Sequence, residues 1–451
     1  MRPEILARYA GQRLPRYTSY PPSPHFGPEV TDARYRQSLA DLPHGGGEAS
    51  LYLHVPFCRS MCWYCGCHTT VARRDDPIIG YLAALRREIT LVADAAGARL
   101  PTAHIHFGGG TPTILHPDDF VRLAGLLRRE FAVATDAEVA VEIDPRTLTA
   151  AMVTALAEAG VTRASLGVQS FDGVVQKAIN RVQSFEQTAA AVEGLRRAGI
   201  RAVNFDLIYG LPHQTVASCR ETVERCLALR PDRLSVFGYA HVPGFKKHQR
   251  RIDAAALPDA QARHEQAEAI AAMLQGRGYH RIGLDHYALP SDKMAAAQES
   301  GGLRRNFQGY TTDRSDVLIG FGASAIGRLP QGYVQNEVVL GRYAERVRRG
   351  ELPVARGYAL TRDDRLRADL IERLMCDFRV DLGKVCEAHA VASDAVADAL
   401  PALRALTRDG LIRFDGAVVE VNPEARSLVR SVAAAFDAHR APPGRTHSPA
   451  V

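Results

Sequence analysis

Between about residues 50 and 290, apolar runs of strand length alternate with amphipathic helical stretches, and this alternation constrains the fold more than any other feature of the chain. The strand-like runs fall near 51–55, 104–107, 139–143, 164–168, 203–208 and 234–237. Between the first two, Ile79, Leu82, Leu85, Ile89 and Val92 recur at the spacing of one helix face. Further helical patterns follow near 117–131, 148–159, 185–198, 216–229 and 259–277. Repeated β-α units require parallel strands flanked by helices, so the spacing predicts an α/β fold built on a partial (β/α)6, TIM-like barrel. In such a fold, chemistry gathers at the carboxyl ends of the strands.

Directly after the first strand, the stretch from Cys58 to Cys67 holds half of the chain's eight cysteines. Cys58, Cys62 and Cys65 have the spacing C-x3-C-x2-C, and Cys67 follows. Three thiolates on one short loop can hold three irons of a 4Fe-4S cluster and leave the fourth iron open. Four cysteines with His54 and His68 nearby can alternatively close a tetrahedral zinc site. Zinc sites usually draw on two ligand pairs separated by a longer loop, and here all the sulfurs share one knuckle, which favours the cluster. Cys219, Cys226, Cys376 and Cys386 are scattered, as expected of reduced thiols and not of a disulfide framework.

After the second strand comes Gly108-Gly-Gly-Thr-Pro-Thr113. No Gly-Lys-Ser/Thr follows, so it is not a P-loop, nor does it match a dinucleotide fingerprint. Taken alone it serves equally as a tight turn or as a backbone that a ligand approaches closely. Glu142 follows the third strand's apolar core, Gln169 the fourth, Arg181 lies in the next helix, and Asp206 sits on the fifth strand. Singly, each is a cap or an ion-pair partner. Together they set two carboxylates, an amide and a guanidinium on successive strand ends, a set able to grip a ribose and a carboxylate. Tyr52 and His54, two apart on the first strand, share one face.

The knuckle resembles that of the radical S-adenosylmethionine superfamily, and the added Cys67 gives it the form found in oxygen-independent coproporphyrinogen III oxidases. The resemblance runs from Tyr17 to about residue 440 and is most specific at the knuckle and at Asn306-Phe-Gln-Gly-Tyr-Thr-Thr312. It implies a 4Fe-4S cluster on Cys58, Cys62 and Cys65. It also implies S-adenosylmethionine held by Tyr52, Tyr64, Gly109, Gly110, Thr111, Glu142, Gln169, Arg181, Asp206 and Ala240. Gln308 and Ile326 match positions that contact a second S-adenosylmethionine. Tyr52 and Cys67 are the candidates for a direct catalytic part, Cys67 as a thiol outside the cluster.

The implied reaction is radical decarboxylation. One electron from the reduced cluster cleaves S-adenosylmethionine to a 5′-deoxyadenosyl radical, which abstracts the β-hydrogen of a propionate; carbon dioxide leaves as an acceptor takes an electron. Two such events, on rings A and B, turn coproporphyrinogen III into protoporphyrinogen IX. The implied partners are the porphyrinogen, an external electron donor of flavodoxin or ferredoxin type, and an unidentified electron acceptor. Of two basic groups, Lys246 to Arg251 and Arg304 with Arg305, one or both are expected to anchor the propionates that do not react, although such runs are usually solvated surface.

The flanks read differently from the barrel. Residues 1–49, with Pro15-Arg-Tyr-Thr-Ser-Tyr-Pro-Pro22, form an N-terminal arm packed on the main domain, and the resemblance sets it near the active-site opening. The barrel runs from 50 to 290, and 291–360 lack a clean period and read as an irregular active-site extension. Residues 361–440 combine helices with an Asp-Gly hairpin as a winged-helix-like cover domain, and 441–451 read as a disordered tail. From 361 to 440 there are 12 basic against 14 acidic residues, a balance ill suited to phosphates. No apolar run of about 18 residues exists, and the net charge of +6 includes no long like-charge block. A soluble, cytoplasmic monomer without nucleic acid is expected. Two other readings compete: a haem chaperone or haem-modifying relative, and an iron-sulfur or zinc regulator that binds DNA. Cys67 and the N-terminal arm favour the oxidase over the chaperone.

Overall fold

All six anticipated strands form, and each is followed by a helix. β1 (Ala49–Val55), β2 (Pro101–Gly109), β3 (Ala132–Ile143), β4 (Arg163–Gln169), β5 (Ala202–Tyr209) and β6 (Arg233–Gly238) lie side by side in that order. Every pair among them is parallel. The computed structural model describes residues 3–45 and 47–440, so the tail from 441 to 451 lies outside the described residues.

The principal helices after these strands, Asp76–Ala96, Pro117–Glu130, Ala150–Glu158, Phe185–Arg197, Val216–Ala228 and Ala260–Gly276, fall within a few residues of their apolar patterns. Several start where a side chain accepts from an unpaired first-turn amide: Thr149 from Met152, Thr215 from Ser218, Asp259 from Ala262. Ser184 and Gln187 close a reciprocal capping box. Leu51, Leu53, Phe107, Val141, Leu166 and Phe205 from the strands are buried in one core with Leu85, Ile89, Leu127 and Leu195 from the helices.

The stretch expected to be irregular is largely regular, which corrects that reading. Just before it, at the end of the expected barrel segment, β7 (His280–Ile282) and β8 (His286–Ala288) add antiparallel strands beyond β6. On the opposite side β9 (Val317–Phe321) pairs parallel with β1 and becomes a seventh parallel strand. β10 (Ile326–Leu329), β11 (Gly332–Asn336) and β12 (Val354–Ala359) then continue antiparallel, completing a sheet of 12 strands. These strands are short, and β9 and β11 are buried at every position. Burial on both faces removes the alternation that reveals a strand in a sequence.

Helices Arg362–Asp377, Leu382–Ala388 and Leu400–Arg408 pack with a small sheet, in which Val418–Val421 lies between Arg379–Asp381 and Ile412–Phe414. This is the expected winged-helix-like domain. The N-terminal arm differs from expectation, because residues between Ile5 and Tyr20 share a core with this domain. Ile5, Leu14, Tyr17 and Tyr20 are buried with Leu370, Leu403 and Phe436. Tyr17 occupies the left-handed region at φ 47 and donates to Asp437 at 3.0 Å. The helix Asp32–Asp41 places Tyr35 and Leu39 in the main core instead. The arm thus straps the C-terminal domain to the barrel.

Candidate active site

Past β1, Phe57–Cys58 pairs with Thr70–Val71 and closes the cysteine loop. Neighbouring elements hold this loop by its backbone. Trp63 N–H donates to the Ile179 carbonyl at 2.9 Å, and Asn180 Nδ2 donates to the Met61 carbonyl at 2.8 Å. From the segment after β6, Gln249 Nε2 donates to Tyr64 O at 3.0 Å, His248 Nε2 to Cys65 O at 2.8 Å, and Lys246 Nζ to Cys67 O at 3.0 Å. With its carbonyls bonded outward, the loop keeps its sulfurs for other partners.

Those sulfurs accept hydrogen bonds. Cys58 Sγ receives Thr69 Oγ1 at 3.3 Å and Thr111 Oγ1 at 3.4 Å. Cys62 Sγ receives Arg146 Nη2 and Arg181 Nη1, each at 3.6 Å. The neighbouring Cys67 thiol lowers the Cys65 thiol to about 7, helped by Lys246 and Arg181, and the same pairing raises Cys67. Thiolate character at Cys65 suits a metal ligand. Cys62 is buried and Cys67 is exposed. Among the described residues no three His, Cys, Asp or Glu side chains converge as ligands of one ion, the arrangement a single zinc requires. Sulfurs that each bind a different iron need no such convergence.

The glycine-rich loop fits against this knuckle. Gly110 N donates to Val55 O and Thr111 N to Phe57 O, both at 2.8 Å. A Cβ on Gly110 would stand 2.5 Å from the Phe57 carbonyl oxygen, and one on Gly108 would stand 2.6 Å from Glu142 Oε1. Gly109, at φ 109, donates its N–H to Glu142 Oε2 at 3.2 Å. Glycine is therefore needed here for close approach, not as a generic turn.

A polar row crosses the inner face of the strands. Buried His54 donates from Nε2 to the His68 carbonyl at 2.9 Å, so its Nδ1 accepts from the Tyr52 hydroxyl at 2.9 Å. Burial pushes Tyr52 well above its usual range, with Glu142 adding to it, and lowers His54; the pair is neutral and the phenol is a donor. His106 Nε2 meets Glu142 Oε1 at 3.1 Å. Farther along, Ser165 Oγ and Asn204 Nδ2 each donate to Asp206 at 2.9 Å, and burial raises that carboxyl. Gln169 ends β4 buried and left-handed at φ 66, a strained position of the kind found at ligand clamps. Arg181 is buried between Asp144, at 3.4 Å, and the Gly167 carbonyl, at 2.5 Å.

Most of the residues singled out from sequence thus meet. Thr111 meets Cys58, Gly109 bonds Glu142 with Tyr52 beside it, Gly110 packs on Phe57, and Arg181 meets Cys62 with Gln169 next to it. The Ala240 carbonyl accepts from Gln249 at 3.2 Å, and the same amide holds Tyr64. Ile326 abuts Gly320, which is the register partner of Tyr52 on β9. Gln308 lies in the turn of the hairpin Arg304–Asn306 and Gly309–Thr311, with its N–H bonded to Asn306 Oδ1 at 2.9 Å. Sequence reasoning missed His106, Arg146, Ser165 and Asn204. A signal existed for His106, which aligns in register with Tyr52. Lys246 and His248, expected to face propionates, instead bind the cysteine loop, and Arg304 pairs with Glu372 at 3.3 Å.

A parallel βα sheet with a three-cysteine loop seated on a glycine-rich turn defines a radical S-adenosylmethionine protein, and residues 52–226 match the model of the Radical SAM superfamily. Residues 360–428 match the HemN C-terminal domain. The chain is 60% identical to the oxygen-independent coproporphyrinogen III oxidase of Bradyrhizobium diazoefficiens over 451 residues, covering all of both chains. It is 44% identical to that of Paracoccus denitrificans over 428 residues, 95% of this chain and 94% of the other. The solved structure of the Escherichia coli coproporphyrinogen III oxidase HemN, described as a radical SAM enzyme, superposes with a TM-score of 0.90 at 38% identity, over 95% of this chain and 100% of that one. The chain belongs to the oxygen-independent coproporphyrinogen III oxidase family.

Proposed function

We propose that this chain is the enzyme that oxidatively decarboxylates the ring A and ring B propionates of coproporphyrinogen III to vinyl groups, giving protoporphyrinogen IX. The observation that carries the reading is the seating of the Cys58–Cys65 loop on Gly108–Thr111, within a chain that is alike over its whole length to a named oxidase. Cys58, Cys62 and Cys65 would hold the 4Fe-4S cluster, and their hydrogen-bonded sulfurs fit that role. With S-adenosylmethionine bound, the cluster supplies a carbon radical able to remove an unactivated β-hydrogen, which no side-chain base removes.

The chain's own residues bind, orient and exclude water. Backbone carbonyls of Gly108–Gly110 and the Glu142 carboxylate offer acceptors for the methionine amino group. Asp206, held by Ser165 and Asn204, suits the ribose hydroxyls, and Arg181 suits the methionine carboxylate. Arg146 and Arg181 beside Cys62 Sγ stabilise negative charge on the sulfur. Tyr52, fixed as a donor by His54, lies on the first strand below the knuckle. Gln308 and Ile326 are assigned to a second S-adenosylmethionine.

An external donor must deliver electrons. Arg59, Arg73, Arg74 and Arg251 line an open groove of about 600 Å³ with Met61 and Trp63, on the cysteine loop itself. Arg59 pairs with Asp75 and Arg74 with Asp76, so Arg73 and Arg251 carry the positive excess. This face suits a small acidic electron-transfer protein. No helix among the described residues is long and apolar enough to cross a membrane, and we read the chain as a cytoplasmic monomer.

The test is anaerobic turnover of the reconstituted protein with reductant, S-adenosylmethionine and coproporphyrinogen III. Protoporphyrinogen with about one 5′-deoxyadenosine per vinyl formed supports the reading, since each propionate needs one radical. Cleavage of S-adenosylmethionine without loss of carbon dioxide would redirect the search to another tetrapyrrole.

A further inference from the structure

Arg16, Arg263, Arg305 and Arg430 come from distant parts of the chain and line one small chamber of about 70 Å³. Arg16 belongs to the N-terminal arm, Arg263 to the helix Ala260–Gly276, Arg305 to the hairpin after residue 303, and Arg430 to the C-terminal helix Val429–Ala433. Asp285 is the acid in the wall, and it is already engaged by His286 Nδ1 at 2.8 Å. Among the described residues Arg16 and Arg263 form no salt bridge; Arg263 lies over the Tyr209 ring at 5.6 Å. Arg305 stacks on Tyr310 at 4.4 Å and donates from Nη2 to Arg16 O at 3.3 Å, while its Nε and Nη1 are buried without a hydrogen-bond partner.

A guanidinium keeps its charge inside a protein, and partly desolvated like charges crowded together without counter-charge are costly. Arg16 is exposed at the chamber's edge, and Arg263 and Arg305 are half-buried; desolvation pulls Arg263 downward, the direction expected when positive charge is under-compensated. Arg16, Arg263 and Arg305 around one occupied carboxylate, with Arg305 Nε and Nη1 left without a partner, call for an anion. Size narrows its identity: at roughly 15 Å³ per water-sized group, the chamber takes about five heavy atoms. That is the size of one propionate arm and far below that of a macrocycle. Planar guanidinium forks suit a carboxylate.

Position narrows it again. Gly238 and Ala240 are in the chamber wall, and Ala240 is tied through Gln249 to Tyr64 of the cysteine loop. A carboxylate held here lies beside the cofactor cradle, with the N-terminal arm and the C-terminal domain closing over it. We propose that this chamber seats one of the coproporphyrinogen III propionates that is not decarboxylated, gripped by Arg263 and Arg305 and covered by Arg16. This rests on the activity proposed above. The methionine carboxylate of S-adenosylmethionine is a second source of the same chemistry, and the test separates the two.

The full-length reconstituted protein and its Arg263→Gln and Arg305→Gln variants are titrated with coproporphyrin III, followed by fluorescence quenching, and with S-adenosylmethionine. Thermal midpoints are recorded alongside. Each variant is expected to raise the Kd for coproporphyrin III at least about tenfold, as loss of a charge-assisted contact should, with the Kd for S-adenosylmethionine unchanged. The midpoint holds or rises, because removing an under-compensated, half-buried charge relieves repulsion; a structural arginine would lower it. Unchanged porphyrin binding overturns the proposal, as does weaker S-adenosylmethionine binding with porphyrin binding intact, or a lowered midpoint with both ligands weakened. Wild-type protein that binds coproporphyrin III but leaves the porphyrinogen unconverted sinks the activity alone, and the chamber is then judged by the variants' Kd values. Wild-type protein that does not bind coproporphyrin III ends both.

Discussion

Arg181 joins the cysteine loop to the sheet: its Nη1 donates to Cys62 Sγ at 3.6 Å, and its Nη2 donates to the Gly167 carbonyl of β4 at 2.5 Å. Asp144 holds both Arg181 and Arg146, at 3.4 Å and 2.6 Å. Two guanidinium groups therefore meet one sulfur through one carboxylate, and the geometry couples cluster electronics to strand position.

Removing one of these charges should make the cluster harder to reduce. For Arg146→Gln the reduction potential is expected to fall by roughly 60 mV, the tenfold equivalent for one electron, with iron content unchanged. A redox titration followed by electron paramagnetic resonance measures it; an unmoved potential would show that Arg146 acts only on Asp144.

Gly110→Ala should displace the cysteine loop, because its Cβ would stand 2.5 Å from the Phe57 carbonyl oxygen and 2.7 Å from Thr69 Oγ1. A shift of about 1 Å in a reacting geometry costs on the order of a hundredfold in rate. Turnover is expected to fall by at least that much, and Gly125→Ala, where nothing lies within 4 Å of the added Cβ, is the matched control.

Cys67 is exposed, and its carbonyl is fixed by Lys246. Cys67→Ser is expected to keep the cluster at the wild-type iron and sulfide content, whereas Cys62→Ser loses it. Iron and sulfide analysis after anaerobic reconstitution decides between these roles, and loss of iron in Cys67→Ser would make it a ligand.

Glu88 offers a pH test away from the site. It is buried on the helix Asp76–Ala96 and accepts from Gly322 N at 2.7 Å, Asn336 Nδ2 at 2.6 Å and the Tyr343 hydroxyl at 2.6 Å. Burial outweighs these bonds and pushes the carboxyl from 4.5 up to about 7. The folded chain then holds a proton that the unfolded chain releases. Stability from this group is full below pH 4.5 and is lost as pH rises through about 7, a change of about 3 kcal/mol. Denaturant melts across that range should show the slope, and Glu88→Gln should flatten it.

Donor docking through Arg73 and Arg251 should weaken with salt. Turnover driven by an acidic flavodoxin-type protein is expected to show a KM that rises severalfold with ionic strength. Arg73→Ser with Arg251→Ser should raise KM at low salt and remove most of that dependence, leaving turnover with a small chemical reductant unchanged.

The βα repeat and the cysteine spacing were legible because each is local. Strand alternation located β1 to β6, and a resemblance written in short motifs drew Glu142, Gln169, Arg181 and Asp206 into one reading. The strands β9 and β11 were not legible, since burial at every position erases the period of two. That Lys246 and His248 bond the cysteine loop was not legible, because a basic run looks the same whether it faces a ligand or a neighbouring loop's carbonyls.

By itself the sequence determined the order of elements, the three-thiol knuckle and the glycines that let it be approached, because hydrophobic period and close backbone contact act over a few residues. Tertiary structure decided what lies across the sheet: that His54 sets Tyr52 as a donor, that two arginines reach Cys62, and that the N-terminal arm shares its core with residues 366–436. It also decided that arginines more than 400 positions apart face one chamber. The physical reason is that hydrogen bonds and buried charges are satisfied by proximity in space, and chain separation carries no record of it.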